Sequence, residues 1–214
     1  MTSGSFLSSI QVLYRMDRGD RIYVRRHFQR WLDVVRILET IGKQNGFMNI
    51  LDVGCGSGFF MLMFDGKIIG LDNAENVDIC KKRGLQTYPV DLEKDRFPLE
   101  NSTFDIAVCL EVLEHLSDPS NVLDEIHRLL KSDGYLLIST PNSRMPTWRI
   151  RDFLFKFKII SRIYVNRELG EDEVRYNQEE LEQLLVSHNF ELQNFYYPKI
   201  LLPSDDLLVV AKKV

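Results

Sequence analysis

The chain has 214 residues, of which 44% are hydrophobic and 27% are charged, and its formal net charge is -4. This length favours a single domain with one well-buried core, and the composition excludes the disordered and fibrous classes. The negative net charge argues against a protein that binds nucleic acid by general electrostatic attraction.

The three cysteines, Cys55, Cys80 and Cys109, are widely separated and form no CxxC pair. We therefore expect neither a disulfide framework nor a zinc site, and we predict a reducing, cytoplasmic setting. The first residues carry no basic leader, and no later stretch approaches the roughly 20 apolar residues of a membrane-spanning helix. The expectation is a protein without a signal peptide or a transmembrane segment.

The first predicted element is an amphipathic helix over residues 20–42, ended by Gly42, because its apolar residues recur at helical spacing. Two short apolar strands follow, with the sequences MNILDVG and KIIGLD, and a compact glycine loop with a stunted helix separates them. The next predicted helix, which Gly84 ends, has the sequence NAENVDICKKRG.

Two more strands are predicted next, LQTYPVDLE and the nearly continuous apolar run FDIAVCL. The helix that follows begins at a cap formed by Ser117 or Asp118 and ends at Gly134. A fifth strand, GYLLISTPN, is interrupted by Pro141. Strands that alternate with helices predict an α/β protein with a mostly parallel sheet covered on both faces.

The end of the chain departs from this alternation. A helix with Asn177 as its cap has the sequence NQEELEQLLVSHNF, and the strands FELQNFYYPK and DLLVVAKKV come after it. Only a short connection separates these two strands, whereas a parallel pair needs a longer crossover. They are therefore predicted to be antiparallel.

The first strand runs into a glycine repeat in the sequence LDVGCGSGFF, with Gly54, Gly56 and Gly58 at alternate positions. Such a turn from strand to helix lets backbone N–H and C=O groups approach a ligand without obstruction by side chains. The dinucleotide fingerprint GxGxxG would need a glycine where the chain has Phe59, which weakens a nicotinamide or flavin interpretation.

Acidic residues follow the next strands. Asp72 ends the second strand and is placed to accept hydrogen bonds from both hydroxyls of a ribose, and Asp91, one strand further, could bind the exocyclic amine of a purine. An aspartate after a strand is as often only a helix cap or a turn residue. The glycine loop, both aspartates and the strand end Leu110–Glu111 nevertheless share the carboxyl edge of a parallel sheet, where open α/β sheets bind ligands.

Five motifs stand in order along residues 45–142: LDVGCGSG, IIGLD, PVDLE, FDIAVCLEVLEHLSDP and LLKSDGYLLISTPN. As a set they resemble those of the class I S-adenosylmethionine-dependent methyltransferases. EVLEHLSDP and STPN are most similar to the small-molecule enzymes that include the ubiquinone-biosynthesis O-methyltransferases. The resemblance implies a Rossmann-like, doubly wound seven-stranded sheet in the order 3-2-1-4-5-7-6, with strand 7 antiparallel.

On this basis residues 1–214 are predicted to be one methyltransferase domain. Residues 1–44 would form an N-terminal helical cap, 45–142 the cofactor-binding core, 143–176 a lid insertion, and 177–214 the terminal helix and antiparallel strand pair. One departure from the family pattern is the short stretch FFMLMFDG after the glycine loop. It predicts a truncated first crossover helix, and its aromatic cluster is most simply core packing.

The resemblance also implies which residues bind the cofactor S-adenosyl-L-methionine. Asp52 and the glycine loop would hold its methionine part, and Asp72 would hold its ribose. Asp91 and Leu92 would border the adenine, and Leu110 and Glu111 would line the other side of the cofactor. The full set is Asp52, Gly54, Cys55, Gly56, Gly58, Asp72, Asn73, Asp91, Leu92, Leu110 and Glu111.

The methyl group of a sulfonium is already electrophilic, so its transfer mainly requires an acceptor atom held in line at about 3 Å in a site that excludes water. No metal is predicted. For a hydroxyl acceptor, His115 in LEVLEHLSDP is the best candidate for the general base, because its pKa range suits proton removal near neutral pH. Alternatively, His115 could only cap or brace the following helix, and Glu111 or Glu114 could orient the acceptor or the cofactor.

Two basic segments are candidates for the substrate side. YVRRHFQRW could neutralise a carboxylate of the cofactor or of an acidic substrate through Arg25 or Arg26, or it could be a solvated helix face. Residues 144–164 mix aromatic and basic side chains, which predicts a substrate lid, with a peripheral contact to an anionic membrane as the alternative. The sequence leaves the oligomeric state open.

The sequence thus predicts an enzyme that moves a methyl group to a small-molecule acceptor, with oxygen as the favoured atom and without nucleic acid as a partner. The alternative is a catalytically silent S-adenosylmethionine-binding protein with a regulatory or scaffolding role. A nicotinamide-dependent oxidoreductase is a third hypothesis, which Phe59 disfavours.

Overall fold

One sheet of seven strands organises the part of the chain that the structure describes. The computed structural model describes residues 18–45, 49–64, 68–142, 174, 176–196 and 206–214. The strands are β1 (Ile50–Val53), β2 (Ile68–Asp72), β3 (Thr87–Pro89), β4 (Phe104–Leu110), β5 (Leu130–Pro141), β6 (Phe190–Tyr196) and β7 (Asp206–Lys213). The α-helices are α1 (Arg18–Asn45), α2 (Ala74–Lys82), α3 (Ser120–Leu129) and α4 (Gln178–Ser187), and there are short 3-10 helices at Met61–Met63 and Leu113–His115.

The strand order is β3-β2-β1-β4-β5-β7-β6. β1 to β5 pair in parallel, and β7 is antiparallel to both of its neighbours. This confirms the predicted topology, including the antiparallel terminal pair. The crossover from β1 to β2 holds only the 3-10 helix Met61–Met63 among its described residues, as expected for a truncated helix.

Two apolar clusters cover the two faces of the sheet. α1 packs on one face through Trp31, Val34 and Leu38, whose spacing places them on one side of the helix. α3 and α4 pack on the other face. Successive residues of β4 alternate between the clusters, with Ile106 on the α1 side and Ala107 on the opposite side, because strand side chains alternate across a sheet.

The start of α3 differs from the prediction. Its N-cap is Pro119, without a side-chain cap, rather than Ser117 or Asp118. Ser117 Oγ instead donates to Glu93 Oε1 at 2.6 Å, and Asp118 Oδ1 accepts from the backbone N–H of Ser120 at 2.9 Å. These polar side chains therefore fix the loop before the helix.

Two predicted helix ends are also wrong. α1 continues past Gly42, because tertiary packing of the helix outweighs the cost of about 1 kcal/mol for an interior glycine. α3 ends at Leu129 rather than at Gly134, because Leu130 already pairs with Phe104 in the sheet. Gly134 therefore lies inside β5.

The predicted insertion over residues 143–176 lies almost entirely outside the described residues, and so does the candidate membrane contact over 144–164. Of its described residues, Tyr176 forms a parallel bridge with Asn142, and the Val174 backbone N–H donates to the Glu114 carbonyl oxygen at 3.0 Å. Of the helices in the described ranges, none combines the length and the apolar character needed to cross a membrane.

Candidate active site

Asp72, the last residue of β2, holds the glycine loop that follows β1. Its carboxylate accepts hydrogen bonds from the backbone N–H of Gly56 at 2.7 Å and of Asn73 at 2.8 Å, and from Asn76 Nδ2 at 2.7 Å. Parallel pairing of β1 with β2 sets both strand ends at the same edge of the sheet. Asp72 is therefore part of the loop's own support, as well as a predicted ligand residue.

The glycines of the loop serve different purposes, although Gly54, Gly56 and Gly58 all have positive φ. A Cβ on Gly54 would lie 2.3 Å from Val112 Cγ2, so this position is closed by packing. A Cβ on Gly56 would meet nothing within 4 Å. The loop is thus open to a ligand at Gly56, where the φ of 51° also disfavours any other residue.

A small cavity of about 40 Å³ lies between the glycine loop and α1. Its wall brings several residues of the predicted methionine site together with aromatic side chains. The lining residues are Trp31, Asp52, Gly54, Cys55, Gly56, Ser57, Phe59, Phe60 and Leu110. Phe59 and Phe60 are buried in the core on the α1 side, as predicted, and they also form part of this wall.

Asp52 brings a buried carboxyl group to the small cavity. It is 3% exposed, and its Oδ2 has no hydrogen-bond partner among the residues that the structure describes. Burial, followed by the charges of Asp72 and Cys80, raises the pKa of Asp52 to about 8. A buried oxygen without a partner is costly, and a cationic group of a ligand would both supply a partner and favour the ionised carboxylate. The ammonium group of S-adenosylmethionine fits this requirement.

A larger cleft of about 530 Å³ begins at Asp72 and the residues that follow it. It is lined by Asp72, Asn73, Ala74, Pro89, Val90, Asp91, Leu92, Glu93, Asp95 and Leu116. Asp91 is exposed and also makes turn contacts, accepting from the Glu93 backbone N–H at 3.1 Å and pairing with Lys94 at 3.3 Å. Asn73 caps α2 by accepting from the Asn76 backbone N–H at 3.0 Å. The structure thus brings the predicted ribose and adenine residues to one cleft.

Glu111 follows β4 in a left-handed backbone conformation, with φ of 58°, which residues other than glycine rarely adopt. Its carboxylate accepts from Ser139 Oγ at 3.1 Å and forms an ion pair with Arg30 Nη2 at 3.3 Å. Both side chains of the ion pair are mostly buried. Strained backbone of this kind concentrates at functional sites, because the surrounding contacts must hold it in place.

His115, the predicted base, lies in the 3-10 helix that follows Glu111, and its side chain is exposed. The alternative that it caps α3 is wrong, because Pro119 is the N-cap and the helix has no side-chain cap. Its neighbour Glu114 is buried and accepts from Thr140 Oγ1 at 3.4 Å. Of the neighbouring residues Glu114 and His115, His115 is thus the one whose side chain is exposed to solvent.

Arg30 was not predicted from the sequence. The predicted arginines were Arg25 and Arg26, whose side chains lie outside the described part of the chain. A signal for Arg30 was available, because it lies four residues before Val34 and eight before Leu38, on the buried stripe of α1. A charged residue that continues an apolar stripe is a candidate for a buried ion pair, but its partner cannot be read from the sequence.

A family model described as "Methyltransferase domain" matches residues 23–194, which is most of the chain. The chain belongs to this methyltransferase family. Membership in the family argues against the nicotinamide-dependent alternative, in agreement with the position of Phe59.

Curated relatives of this methyltransferase include two proteins named ubiquinone biosynthesis O-methyltransferase. The protein from Colwellia psychrerythraea is 33% identical over 122 residues, covering 52% of this chain and 50% of that protein. The protein from Bordetella bronchiseptica is 32% identical over 143 residues, covering 62% of this chain and 56% of that protein. The chain thus spans about half the length of the curated relatives it matches.

Solved structures confirm the methyltransferase fold. Magnesium protoporphyrin IX methyltransferase from Synechocystis PCC 6803, solved with bound SAH, superposes with a TM-score of 0.64 at 14% identity, covering 100% of this chain and 95% of that one. A SAM-dependent methyltransferase from Methanosarcina mazei gives a TM-score of 0.61 at 23% identity, covering 78% of this chain and 92% of that one.

Proposed function

We propose that this protein transfers a methyl group from S-adenosylmethionine to a small-molecule acceptor, with an oxygen as the attacking atom. The observation that carries the proposal is the presence of two cavities, one lined by the glycine loop and Asp52 and the other by Asp72 and Asp91. The larger has the size and the carboxylates to take a nucleoside, and the smaller contains the buried carboxyl group of Asp52. Membership in the methyltransferase family supports the same function.

The residues present fit this cofactor. Asp72 would offer carboxylate oxygens to the ribose hydroxyls, and Asp91 with Leu92 would border the adenine in the larger cleft. Asp52 would face the ammonium group in the smaller cavity. Gly56, where a Cβ would meet open space, would let the backbone of the loop lie against the ligand.

Arg30 takes the role first considered for Arg25 or Arg26, the neutralisation of the cofactor's carboxylate. It precedes Trp31, which lines the small cavity, and it pairs with Glu111, which follows another lining residue, Leu110. A guanidinium binds a carboxylate through paired donors. In this role Arg30 would serve both the cofactor and Glu111.

When bound, S-adenosylmethionine supplies an electrophilic methyl group on its sulfonium. The residues of this chain have to exclude water and orient the acceptor atom in line with that group. Trp31, Phe60 and Leu110 give the small cavity an apolar wall. His115 would accept the proton of an acceptor hydroxyl, and Glu111 would orient that hydroxyl or the cofactor.

The names of the curated relatives, ubiquinone biosynthesis O-methyltransferase, support oxygen as the attacking atom. We infer that the acceptor is a hydroxylated aromatic or lipid-like compound. The lid and the membrane contact over residues 144–164 stay predictions, as does the cytoplasmic setting, which rests on three unpaired, buried cysteines.

The test is incubation with S-adenosylmethionine that carries an isotopically labelled methyl group, together with a panel of hydroxylated aromatic and lipid-like compounds. The proposal predicts one or more labelled methyl ethers and an equal amount of S-adenosylhomocysteine. Cofactor binding without turnover of any acceptor in the panel would instead support the catalytically silent alternative.

A further inference from the structure

We propose that Arg83 and Cys80, at the C-terminal end of α2, are positioning residues that hold the glycine loop ready for the cofactor. The inference rests on the proposed function, because it assigns the loop to the binding of S-adenosylmethionine. It concerns the support of the loop from a neighbouring helix.

The loop lacks the support that a parallel crossover usually provides. Parallel strands are normally joined by a connection that contains an α-helix, whose first turn would continue the loop and fix its backbone. The described residues between β1 and β2 contain only the 3-10 helix Met61–Met63. The backbone of the loop must therefore be fixed by contacts from elsewhere.

Besides Leu71 and Asp72 of β2, the C-terminal end of α2 supplies such contacts. Cys80 Sγ donates a hydrogen bond to the Gly56 carbonyl oxygen at 3.2 Å, and Arg83 Nη1 donates one to the Ser57 carbonyl oxygen. The guanidinium of Arg83 also lies 4.1 Å from the ring centroid of Phe59, in a cation–π contact. Three of four consecutive residues, from Gly56 to Phe59, are thus held by two side chains of one helix end.

The contacts converge on the part of the loop that is open to a ligand. The N–H of Gly56 donates to Asp72 at 2.7 Å, and its carbonyl group accepts from Cys80. Hydrogen bonds therefore hold both backbone polar groups of this residue. Phe59, below Arg83, lines the small cavity. Fixing these groups before binding reduces the ordering cost that the ligand would otherwise have to offset.

Neither Cys80 nor Arg83 lines the small cavity or the larger cleft, so both act through the loop rather than by touching the ligand. Their spacing of three residues places them on one face of α2, toward the loop. Lys82, between them, is exposed. Substitution of Lys82 therefore removes the same charge as substitution of Arg83 and serves as the control.

The first test compares Arg83→Met with Lys82→Met by isothermal titration with S-adenosylhomocysteine, at a temperature where circular dichroism shows both variants folded. We expect Arg83→Met to raise the Kd about 10-fold or more, as for loss of a hydrogen bond from a charged donor. Lys82→Met should stay within about twofold of the wild type. Arg83→Lys, which keeps a donor but not the flat guanidinium over Phe59, should give an intermediate Kd.

Rescue separates positioning from general stability. Cys80→Ser keeps a donor for the Gly56 carbonyl group and should bind S-adenosylhomocysteine more tightly than Cys80→Ala. If Arg83→Met does not fold, these two variants provide the test instead. Wild-type affinity in Arg83→Met, or equal affinities in the two Cys80 variants, would overturn this inference and leave the proposed function standing. A folded wild-type protein that binds neither S-adenosylmethionine nor its demethylated product would overturn the proposed function, and the inference with it.

Discussion

Arg30 and Glu111 form an ion pair that joins the N-terminal helix to the end of β4, with 3.3 Å between Nη2 and Oε2. Their side chains are 10% and 13% exposed. The pair lies on the same side of α1 as the buried Val34 and Leu38, so it links the packed face of this helix to the candidate site. It also holds the carboxylate of a residue whose backbone is strained.

Arg30→Met is expected to lower the free energy of unfolding by about 3 kcal/mol, because it removes the guanidinium that pairs with the mostly buried Glu111 carboxylate. Adding Glu111→Gln should recover part of this loss. The control is Arg36→Met on the same helix, because Arg36 is 68% exposed in its pair with Asp33 and should cost less than about 1 kcal/mol. Equal losses in chemical denaturation of the two arginine variants would contradict a structural role for the buried pair.

Asp72→Ala is expected to weaken the binding of S-adenosylmethionine by about 1.5–3 kcal/mol, through loss of hydrogen bonds to a charged group. The structure adds a second reason, because the same carboxylate holds the Gly56 N–H. Asp78→Ala, an exposed substitution on α2, should leave the affinity unchanged. An unchanged calorimetric affinity in Asp72→Ala would remove the ribose assignment.

The stability of the ligand-free protein should depend on pH through Asp52. Its pKa is about 8 in the folded state and near 3.8 in the unfolded chain, so between these values the folded state binds more protons. The free energy of unfolding therefore falls, as far as Asp52 contributes, as the pH rises from about 4 to 8. Denaturation at several pH values should show a smaller fall in Asp52→Asn, and identical profiles would argue against a raised pKa.

Cofactor binding should release a proton from the same group. A cation beside Asp52 favours its ionised form and lowers its pKa, so the carboxyl group loses its proton on binding at pH 7. Titration in two buffers with different ionisation enthalpies should reveal this release in the wild type. In Asp52→Asn the release should disappear, and its persistence there would assign it to another group.

His115→Ala should reduce turnover of a hydroxyl acceptor about 10²–10⁴-fold while leaving cofactor affinity unchanged, if His115 is the general base. The exposed side chain makes a large effect on folding unexpected. The control is His188→Ala, at the C-terminal end of α4, which lines neither cavity and should keep full turnover. A fully active His115→Ala variant would leave His115 only a bracing role.

The topology and much of the candidate site were predictable, because they depend on local order along the chain. Alternating strands and helices predict the parallel sheet, and such a sheet brings residues at or just after the strand ends, such as Asp72 and Asp91, to one edge. The pairing of Arg30 with Glu111 was not predictable, since it depends on how α1 lies across the sheet. Gly134 lies in a strand rather than at a helix end, because strand pairing at Leu130 overrides the local helix-stop signal.

Calorimetric titration of the wild-type protein with S-adenosylmethionine, S-adenosylhomocysteine and NAD in parallel tests directly whether this protein binds the methyltransferase cofactor. We expect saturable binding of the first two ligands at one site per chain, weakened by Asp72→Ala, and no binding of NAD. Binding of NAD alone would contradict the proposed function, because the two cavities would then serve a dinucleotide.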